Sequence, residues 1–165
     1  MSNDISEIIY SSIKDGTRLI DTAAVYGSEP GVGKGVKKAI KDGLVKREDL
    51  FITTKLSIYE MSDFEKAIKK SLKNLDLDYI DLYLMHWPKF FNYDKSGKKI
   101  NLTPLHKSWP IMESFVEKGY TKYIGVSNFN VQSLLNLLSF CKIKPLVNEI
   151  EFHPYLYQKK LEKKI

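Results

Sequence analysis

The chain alternates short β-rich runs with helix-like segments along most of its 165 residues. The five β-rich runs are TRLID (17–21), LFITTK (50–55), YIDLYLMHW (79–87), YIGVSN (123–128) and PLVNEIEFH (145–153). A segment with helical spacing of apolar residues precedes each run, the first ending at Gly16, and another begins in YLYQKKLEKKI (155–165). Strands separated by helices are typical of a parallel sheet with right-handed crossovers. The sequence therefore predicts an α/β fold.

The one long stretch without helix or strand periodicity is PKFFNYDKSGKKINLTP, residues 88–104. Irregular loops of this length in a compact domain are more often functional than accidental. This stretch directly follows His86 and Trp87, so we expect it to lie over whatever those two residues line. No shift in composition marks a boundary, and we expect residues 1–165 to form a single domain.

Cysteine content and hydropathy indicate a cellular setting. The one cysteine, Cys141, excludes an internal disulfide. No charged and then apolar leader opens the sequence, so we expect a reduced, cytoplasmic environment. The apolar stretches fall well short of the roughly 20 residues that span a bilayer, and no membrane partner is expected.

The formal net charge of +6 raises the question of a nucleic-acid partner. Arginine, which is suited to bidentate contacts with phosphates and bases, occurs only at Arg18 and Arg47. The excess is lysine in helix-like segments, which usually forms a solvated helix face. We therefore expect no nucleic-acid binding, although a basic surface that attracts an anionic cofactor stays open.

Polar and ionisable residues stand where the predicted strands end. They are Asp21, Lys55, His86 with Trp87, Ser127 with Asn128, and Glu149 within the last strand; Tyr26 follows the first. In parallel α/β folds the ligand site forms at the carboxyl ends of the strands. The sequence therefore predicts that these side chains share one site.

A tyrosine near a lysine and an aspartate has a specific chemical use. A phenol ordinarily has a pKa of about 10, and a nearby ammonium favours its ionised form. Asp21 could hold Lys55 charged and oriented, and a histidine N–H could donate to a carbonyl oxygen. Each residue alone has a commoner structural explanation as a cap, an exposed charge or a satisfied core group. Their joint position at successive strand ends points to proton donation in carbonyl reduction, with hydride from a cofactor.

The segments LIDTAAVYGSE, FITTKL, DLYLMHWP, IGVSNF and VNEIEFHPYL resemble the aldo-keto reductase family in order and spacing, over nearly the whole chain. The resemblance implies a (β/α)₈ TIM barrel and NADPH-dependent reduction of a small-molecule carbonyl substrate. It implies that Tyr26 is the general acid. It also implies that Lys55 and Asp21 tune that acid, and that His86 orients the carbonyl.

By the same resemblance Ser127 and Asn128 hold the nicotinamide carboxamide, and Trp87 forms a wall of the substrate pocket. Glu149 stands where family members commonly carry glutamine, in VNQIE. A carboxylate can accept from the carboxamide NH₂ but cannot donate as an amide does. It also adds negative charge beside a ring that becomes cationic on oxidation, so cofactor affinity is expected to differ.

The chain is shorter than a complete barrel, which has eight strands and typically about 250 residues. We therefore expect a partial barrel of about five βα units, lacking the family's first strand and its last two. The absent segments include those that grip the adenosine 2′-phosphate, so the preference for NADPH is an expectation from the family. The alternative is a non-catalytic relative or fragment that acts as a binding or regulatory subunit. The oligomeric state is left open.

Two other patterns favour structural roles. GVGKG (31–35) partly resembles a phosphate-binding loop, but Gly35 stands where such loops require Ser or Thr. We therefore interpret the motif as the start of a helix. The three histidines show no i, i+4 pair, and no metal site is expected. His153 is expected to be structural, and Trp109 with Met112 to lie in the core.

Overall fold

A computed structural model describes residues 2–57, 63–88, 91–94, 97–100, 103–158 and 161. The helices are α1 (Ser2–Lys14), α2 (Glu29–Lys41), α3 (Phe64–Leu75), α4 (Leu105–Glu117) and α5 (Val131–Leu138). The strands are β1 (Leu19–Asp21), β2 (Phe51–Leu56), β3 (Ile80–Met85), β4 (Phe91–Asp94), β5 (Gly97–Ile100), β6 (Thr121–Ser127) and β7 (Asn148–Glu149). No helix in these ranges is long and apolar enough to cross a membrane.

Five strands form one parallel sheet in the order β1-β2-β3-β6-β7. A helix lies in the chain between each strand and the next in this sheet. This is the arrangement of consecutive βα units in a barrel, and it confirms the prediction of a partial (β/α)₈ barrel. The predicted last helix, residues 155–165, was wrong for 155–158, where the structure has a turn and an isolated bridge between His153 and Leu156. Most of the remaining residues lie outside the described set.

The segment from 88 to 104 differs from the irregular loop that the sequence suggested. Within it, β4 and β5 pair as an antiparallel hairpin, with Phe91 opposite Ile100 and Asp94 opposite Gly97. Ser96 and Gly97, of residue types common in turns, stand where the two strands meet in the sequence. The prediction of a structureless loop was therefore wrong for these two strands.

The fifth predicted run, 145–153, forms a strand only at Asn148–Glu149. Two backbone bonds extend its pairing backwards, from Leu146 N to Ile124 O and from Val126 N to Val147 O. The strand pairs with β6 alone in the described sheet, so only one side of its backbone is held by a ladder.

Strand β3 lies at the centre of the sheet, and all six of its residues are buried. Helix α4 supplies large side chains to the core, because Trp109, Met112 and Phe115 have no exposed surface. The indole N–H of Trp109 donates to Ile143 O at 2.9 Å. The prediction that Trp109 and Met112 belong to the core is confirmed.

The glycines of GVGKG lie inside α2 and allow close helix packing. A Cβ on Gly33 would stand 2.2 Å from the carbonyl oxygen of Leu75 at the end of α3. A Cβ on Gly35 would stand 2.6 Å from Ser6 O in α1. The interpretation of this motif as helical is confirmed, and its glycines serve helix contact.

Side chains on the inner face of the sheet leave a groove of about 370 Å³. Its lining residues are Leu19, Asp21, Phe51, Thr53, Leu82, Leu146, Val147 and Glu149. The groove is mostly apolar along its length and acidic where Asp21 and Glu149 lie. Asp21 and Glu149, two of the residues predicted for the site, thus belong to the inner face.

Both arginines donate hydrogen bonds to other groups of the chain. Arg18 donates to Ile13 O at 2.9 Å. Arg47 donates to the carboxylate of Asp81 at 2.6 Å, and that carboxylate also accepts from Lys122 Nζ at 3.0 Å. These contacts use arginine donors to hold the fold.

Candidate active site

Lys55 lies near the carboxyl end of β2 with a side chain that is 1 % exposed. Its ammonium donates to Asp21 Oδ2 at 2.5 Å and to Thr22 O at 3.3 Å. The ammonium also forms an ion pair with Glu149 Oε1 at 3.0 Å. Because an ammonium has three protons, these three acceptors can satisfy it fully. A charged amine can therefore stay buried here.

Tyr26 is placed over this cluster by a short turn that follows β1. Ala24–Tyr26 form one turn of 3₁₀ helix, and Gly27 ends it in the left-handed region at φ 68°. The hydroxyls of Thr22 and Ser28 are 2.6 Å apart and tie the two ends of the loop together. The Tyr26 ring centroid lies 5.4 Å from Lys55 Nζ, while the residue stays 57 % exposed. Tyr26 is thus near the ammonium and open to a ligand.

His86 follows β3 and packs against the tyrosine. The two ring centroids are 5.7 Å apart in an edge-to-face arrangement. Burial lowers the pKa of His86, and the positive charge of Lys55 lowers it further, while Asp21 opposes the shift. A lowered pKa favours the neutral imidazole, which has one N–H donor and one acceptor nitrogen.

The two charged partners respond differently to burial. Burial raises the pKa of Asp21, Lys55 opposes that rise, and the nearby charge of Glu149 adds to it. For Lys55, burial lowers the pKa, but its hydrogen bonds to Asp21 and Glu149 outweigh burial, so the pKa is raised. The lysine is therefore held as an ammonium.

Ser127 and Asn128 lie at the end of β6. The Ser127 hydroxyl donates to Glu149 O at 2.9 Å. The Asn128 amide donates to His86 O at 2.9 Å and to Ser127 Oγ at 3.1 Å. Asn128 adopts φ 61°, an uncommon conformation that asparagine tolerates better than most residues. Its side-chain carbonyl oxygen is not used in either bond.

Trp87 lies apart from the charged cluster. It lines an open pocket of about 610 Å³ together with Asn128, Ile150 and Tyr157, and neither Asp21 nor Lys55 lines that pocket. Asn128 is therefore the predicted site residue that connects the cluster to this pocket. The side chains of β4 and β5, which follow Trp87 in the chain, lie outside the described set.

One buried carboxylate beside the site was missed by sequence reasoning. Glu29 is 1 % exposed and accepts from Thr54 Oγ1 at 2.9 Å and from Asn74 Nδ2 at 3.0 Å. It joins the start of α2 to β2 and α3, just after the Tyr26 turn. Its place at the end of LIDTAAVYGSE was the only available signal, because its partners are distant in sequence.

The other histidine considered near this end of the sheet has a local partner. His153 Nε2 lies 2.9 Å from Glu151 Oε1. Within the part of the chain that the structure describes, no group of three His, Cys, Asp or Glu side chains is placed to hold a metal ion.

Comparison with characterised proteins gives consistent matches. Residues 3–165 match the model of the aldo/keto reductase family. The chain is 41% identical to 4-dihydromethyl-trisporate dehydrogenase of Mucor mucedo, covering 98% of this chain and 56% of that protein. It is 48% identical to the NADPH-dependent D-xylose reductase of Candida boidinii, covering 94% and 54% respectively. The chain thus spans about half the length of these relatives.

A solved structure shares the arrangement of the fold. The aldo-keto reductase of Bombyx mori in complex with NADP superposes with a TM-score of 0.91 at 40% identity. The match covers 99% of this chain and 53% of that one. Together with the parallel partial barrel and the family match over residues 3–165, this shows that the chain belongs to the aldo/keto reductase family.

Proposed function

We propose that this chain carries the proton-donating half of a carbonyl reductase site, which reduces an aldehyde or ketone to an alcohol. The observation that carries the proposal is the buried Lys55 ammonium, held by Asp21 at 2.5 Å and lying 5.4 Å from the ring centroid of Tyr26. A buried ammonium next to an exposed phenol is an arrangement that favours transient negative charge on the phenol oxygen.

The proposed proton path begins at the Tyr26 hydroxyl. This group donates its proton to the substrate oxygen as negative charge develops there. The Lys55 ammonium stabilises the charge left on the tyrosine oxygen, and Asp21 keeps that ammonium in place. His86, as a neutral imidazole, donates an N–H to the substrate oxygen and orients the carbonyl.

The end of β6 fits a nicotinamide carboxamide, which has both donor and acceptor atoms. Asn128 offers as an acceptor its carbonyl oxygen, which takes no part in its two described side-chain bonds, and the Ser127 hydroxyl lies beside it. Asn128 is fixed in its unusual backbone conformation by its bonds to His86 and Ser127. When bound, the cofactor supplies the hydride that adds to the carbonyl carbon.

Support for NADPH comes from the relatives. The reductase of Candida boidinii is NADPH-dependent, and the Bombyx mori structure contains NADP. A relative from Candida parapsilosis, 42% identical, is an NADH-dependent D-xylose reductase. We propose NADPH as the cofactor, with NADH as the comparison in every binding assay. Several relatives are D-xylose reductases, which makes D-xylose a natural first substrate to test.

The test uses the chain alone and a chimera in which it replaces the matching region of the Candida boidinii reductase. Loss of NADPH absorbance is followed with D-xylose and a panel of small aldehydes and ketones. Tyr26→Phe removes the hydroxyl and keeps the ring, so turnover should fall by about 10² or more. Binding of NADPH, followed by its fluorescence, should change little.

A matched control is Tyr155→Phe, which removes a hydroxyl from a residue that is almost fully exposed. It should leave turnover unchanged. If Tyr26→Phe retained full turnover in an active chimera, Tyr26 would not be the acid. A chimera that folds and binds NADPH but reduces no carbonyl compound would favour the alternative of a binding or regulatory relative.

A further inference from the structure

The Lys55 ammonium has a second acidic partner besides Asp21. Glu149 Oε1 lies 3.0 Å from Lys55 Nζ, at hydrogen-bond distance for a charged pair. In the sheet order β1-β2-β3-β6-β7, the strand that carries Glu149 is separated from the strand of Lys55 by two others. The contact therefore crosses the inner face and does not follow from neighbouring strands.

The main chain at Glu149 is held independently of this contact. Ser127 Oγ and Asn128 N both donate to Glu149 O at 2.9 Å. Ser127 pairs with Glu149 in the register of β6 and β7. The backbone is thus fixed by β6, while the carboxylate reaches towards β2. Glu149 links the predicted cofactor end of the site to its predicted acid-base end.

We infer that Glu149 is a positioning residue that acts through Lys55, and that with Asp21 it forms a two-carboxylate clamp on the ammonium. The inference rests on the proposed role of Lys55 beside Tyr26. It differs from a role in binding the carboxamide, because it rests on the contact between Glu149 Oε1 and Lys55 and needs no ligand.

The clamp changes the charge of the site. With Lys55 charged and both Asp21 and Glu149 ionised, the cluster has one more negative than positive charge. Among the described residues, the phenol of Tyr26 and the imidazole of His86 also face it, and burial lowers the pKa of that imidazole. The excess charge keeps Lys55 protonated to higher pH, in line with its raised pKa, and the charge of Glu149 contributes to the raised pKa of Asp21.

The direct test is a pH titration of the Lys55 side chain by NMR in lysine-labelled chain and chimera. The Lys55 signal is identified by its loss in Lys55→Met. In the wild type, Lys55 should titrate above the exposed lysines. Glu149→Gln keeps the size of the side chain and removes its charge, so it should lower the Lys55 pKa by about one unit.

Glu151→Gln is the matched control, because it removes the same charge two residues further along the chain. The Glu151 side chain is 71% exposed and pairs with His153. It should leave the Lys55 titration unchanged. The inference is overturned if Glu149→Gln moves the Lys55 pKa no more than Glu151→Gln does. It is also overturned if wild-type Lys55 titrates with the exposed lysines, a result that needs neither glutamate variant.

The titration uses no cofactor or substrate, so it separates the clamp from the proposed reductase activity. Full turnover by Tyr26→Phe would remove the proposed function and leave the titration result standing. In an active chimera, Glu149→Gln should also shift the alkaline limb of the turnover profile to lower pH. An altered NADPH affinity with an unmoved Lys55 pKa would assign Glu149 to cofactor binding and would exclude the clamp.

Discussion

Two ion clusters on the same sheet have opposite designs. The Asp81 cluster contains one buried carboxylate between two cations, Arg47 and Lys122. The Lys55 cluster contains one buried ammonium between two carboxylates, Asp21 and Glu149. The first lies towards the amino ends of the strands and the second at their carboxyl ends.

The clusters differ in what surrounds the buried charge. The Asp81 side chain is 3% exposed and also accepts from the backbone N–H of Ile52 at 3.0 Å. In the Lys55 cluster the two carboxylates are 38% and 42% exposed, and Tyr26 beside them is open to solvent. Lys122 in the Asp81 cluster is 46% exposed as well, so what distinguishes the Lys55 cluster is the exposed phenol of Tyr26 beside it.

This difference agrees with a general property of these barrels. Residues at the carboxyl ends of the strands take part in the chemistry, and residues at the amino ends stabilise the fold. It also shows why a buried ion pair does not by itself indicate a functional site. The useful distinction is which groups lie next to the buried charge besides its ion-pair partners, here Tyr26 beside Lys55 and His86 beside Tyr26.

The largest expected effect is on the association and unfolding of the chain alone. It arises from the inner face of the sheet, which connects the two clusters. Leu19, Tyr123 and Leu146 are 62%, 48% and 52% exposed. Apolar surface left in water forfeits about 25 cal/mol per Å², and unpaired sheet edges invite association. The 165-residue chain expressed alone should therefore associate, unfold without a sharp transition and bind NADPH weakly.

Sedimentation and thermal melting by circular dichroism test this prediction, with the chimera as the comparison. The chimera should melt cooperatively, because its remaining strands cover the groove. A chain that is monomeric alone, melts sharply and binds NADPH in the micromolar range would contradict the prediction. Such a chain would have to cover its inner face by another route.

The next prediction compares the effect on stability of replacing one aspartate from each cluster. Asp81→Asn leaves Arg47 and Lys122 without their carboxylate, and the free energy of unfolding should fall by about 3 kcal/mol, the low end for breaking a buried pair. Asp21→Asn should change it by less than about 1 kcal/mol, because this side chain is partly exposed and Lys55 keeps Glu149.

Urea unfolding of the two chimera variants measures both values under the same conditions. The expected ranking follows from burial, since both substitutions remove one negative charge and keep the side-chain size. Equal losses, or a larger loss for Asp21→Asn, would show that the carboxyl-end cluster also holds the fold together.

The sequence was sufficient to predict the order of strands and helices and the positions of Asp21, Lys55 and His86 at strand ends. These inferences depend on local periodicity and on the general geometry of parallel sheets. The β4–β5 hairpin was missed because its strands are only four residues long and flank a polar turn.

Contacts between distant residues could not be predicted in the same way. The sequence marks Glu149 as unusual at its position, but its ion pair with Lys55 depends on how the inner face curves. The buried roles of Glu29 and Asp81 likewise depend on partners that lie 25 to 45 residues away. In the sequence, Gly33 resembles part of a phosphate-binding loop. The structure shows instead that α3 lies too close to this position for any side chain to fit.

The smallest expected effect is on the pH dependence of stability. The pKa of Asp21 is raised from its ordinary value of 3.8, first by burial and also by Glu149, against the influence of Lys55. The folded state therefore binds this proton more tightly than the unfolded state does. The resulting contribution to stability is present below the ordinary value and is lost as the pH rises through the raised pKa. Asp21→Asn should remove this loss, so the difference in unfolding free energy between variant and wild type should shift in favour of the variant from about pH 4 to pH 7. Urea unfolding at several pH values measures the difference, with Asp78→Asn as a control for the loss of an exposed negative charge. A difference that stays constant with pH, or that shifts in favour of the wild type, would contradict the prediction. Either result would mean that Lys55 outweighs burial and Glu149 in setting the pKa of Asp21. The Lys55 cluster would then resemble the Asp81 cluster more closely than the exposure of Asp21 suggests.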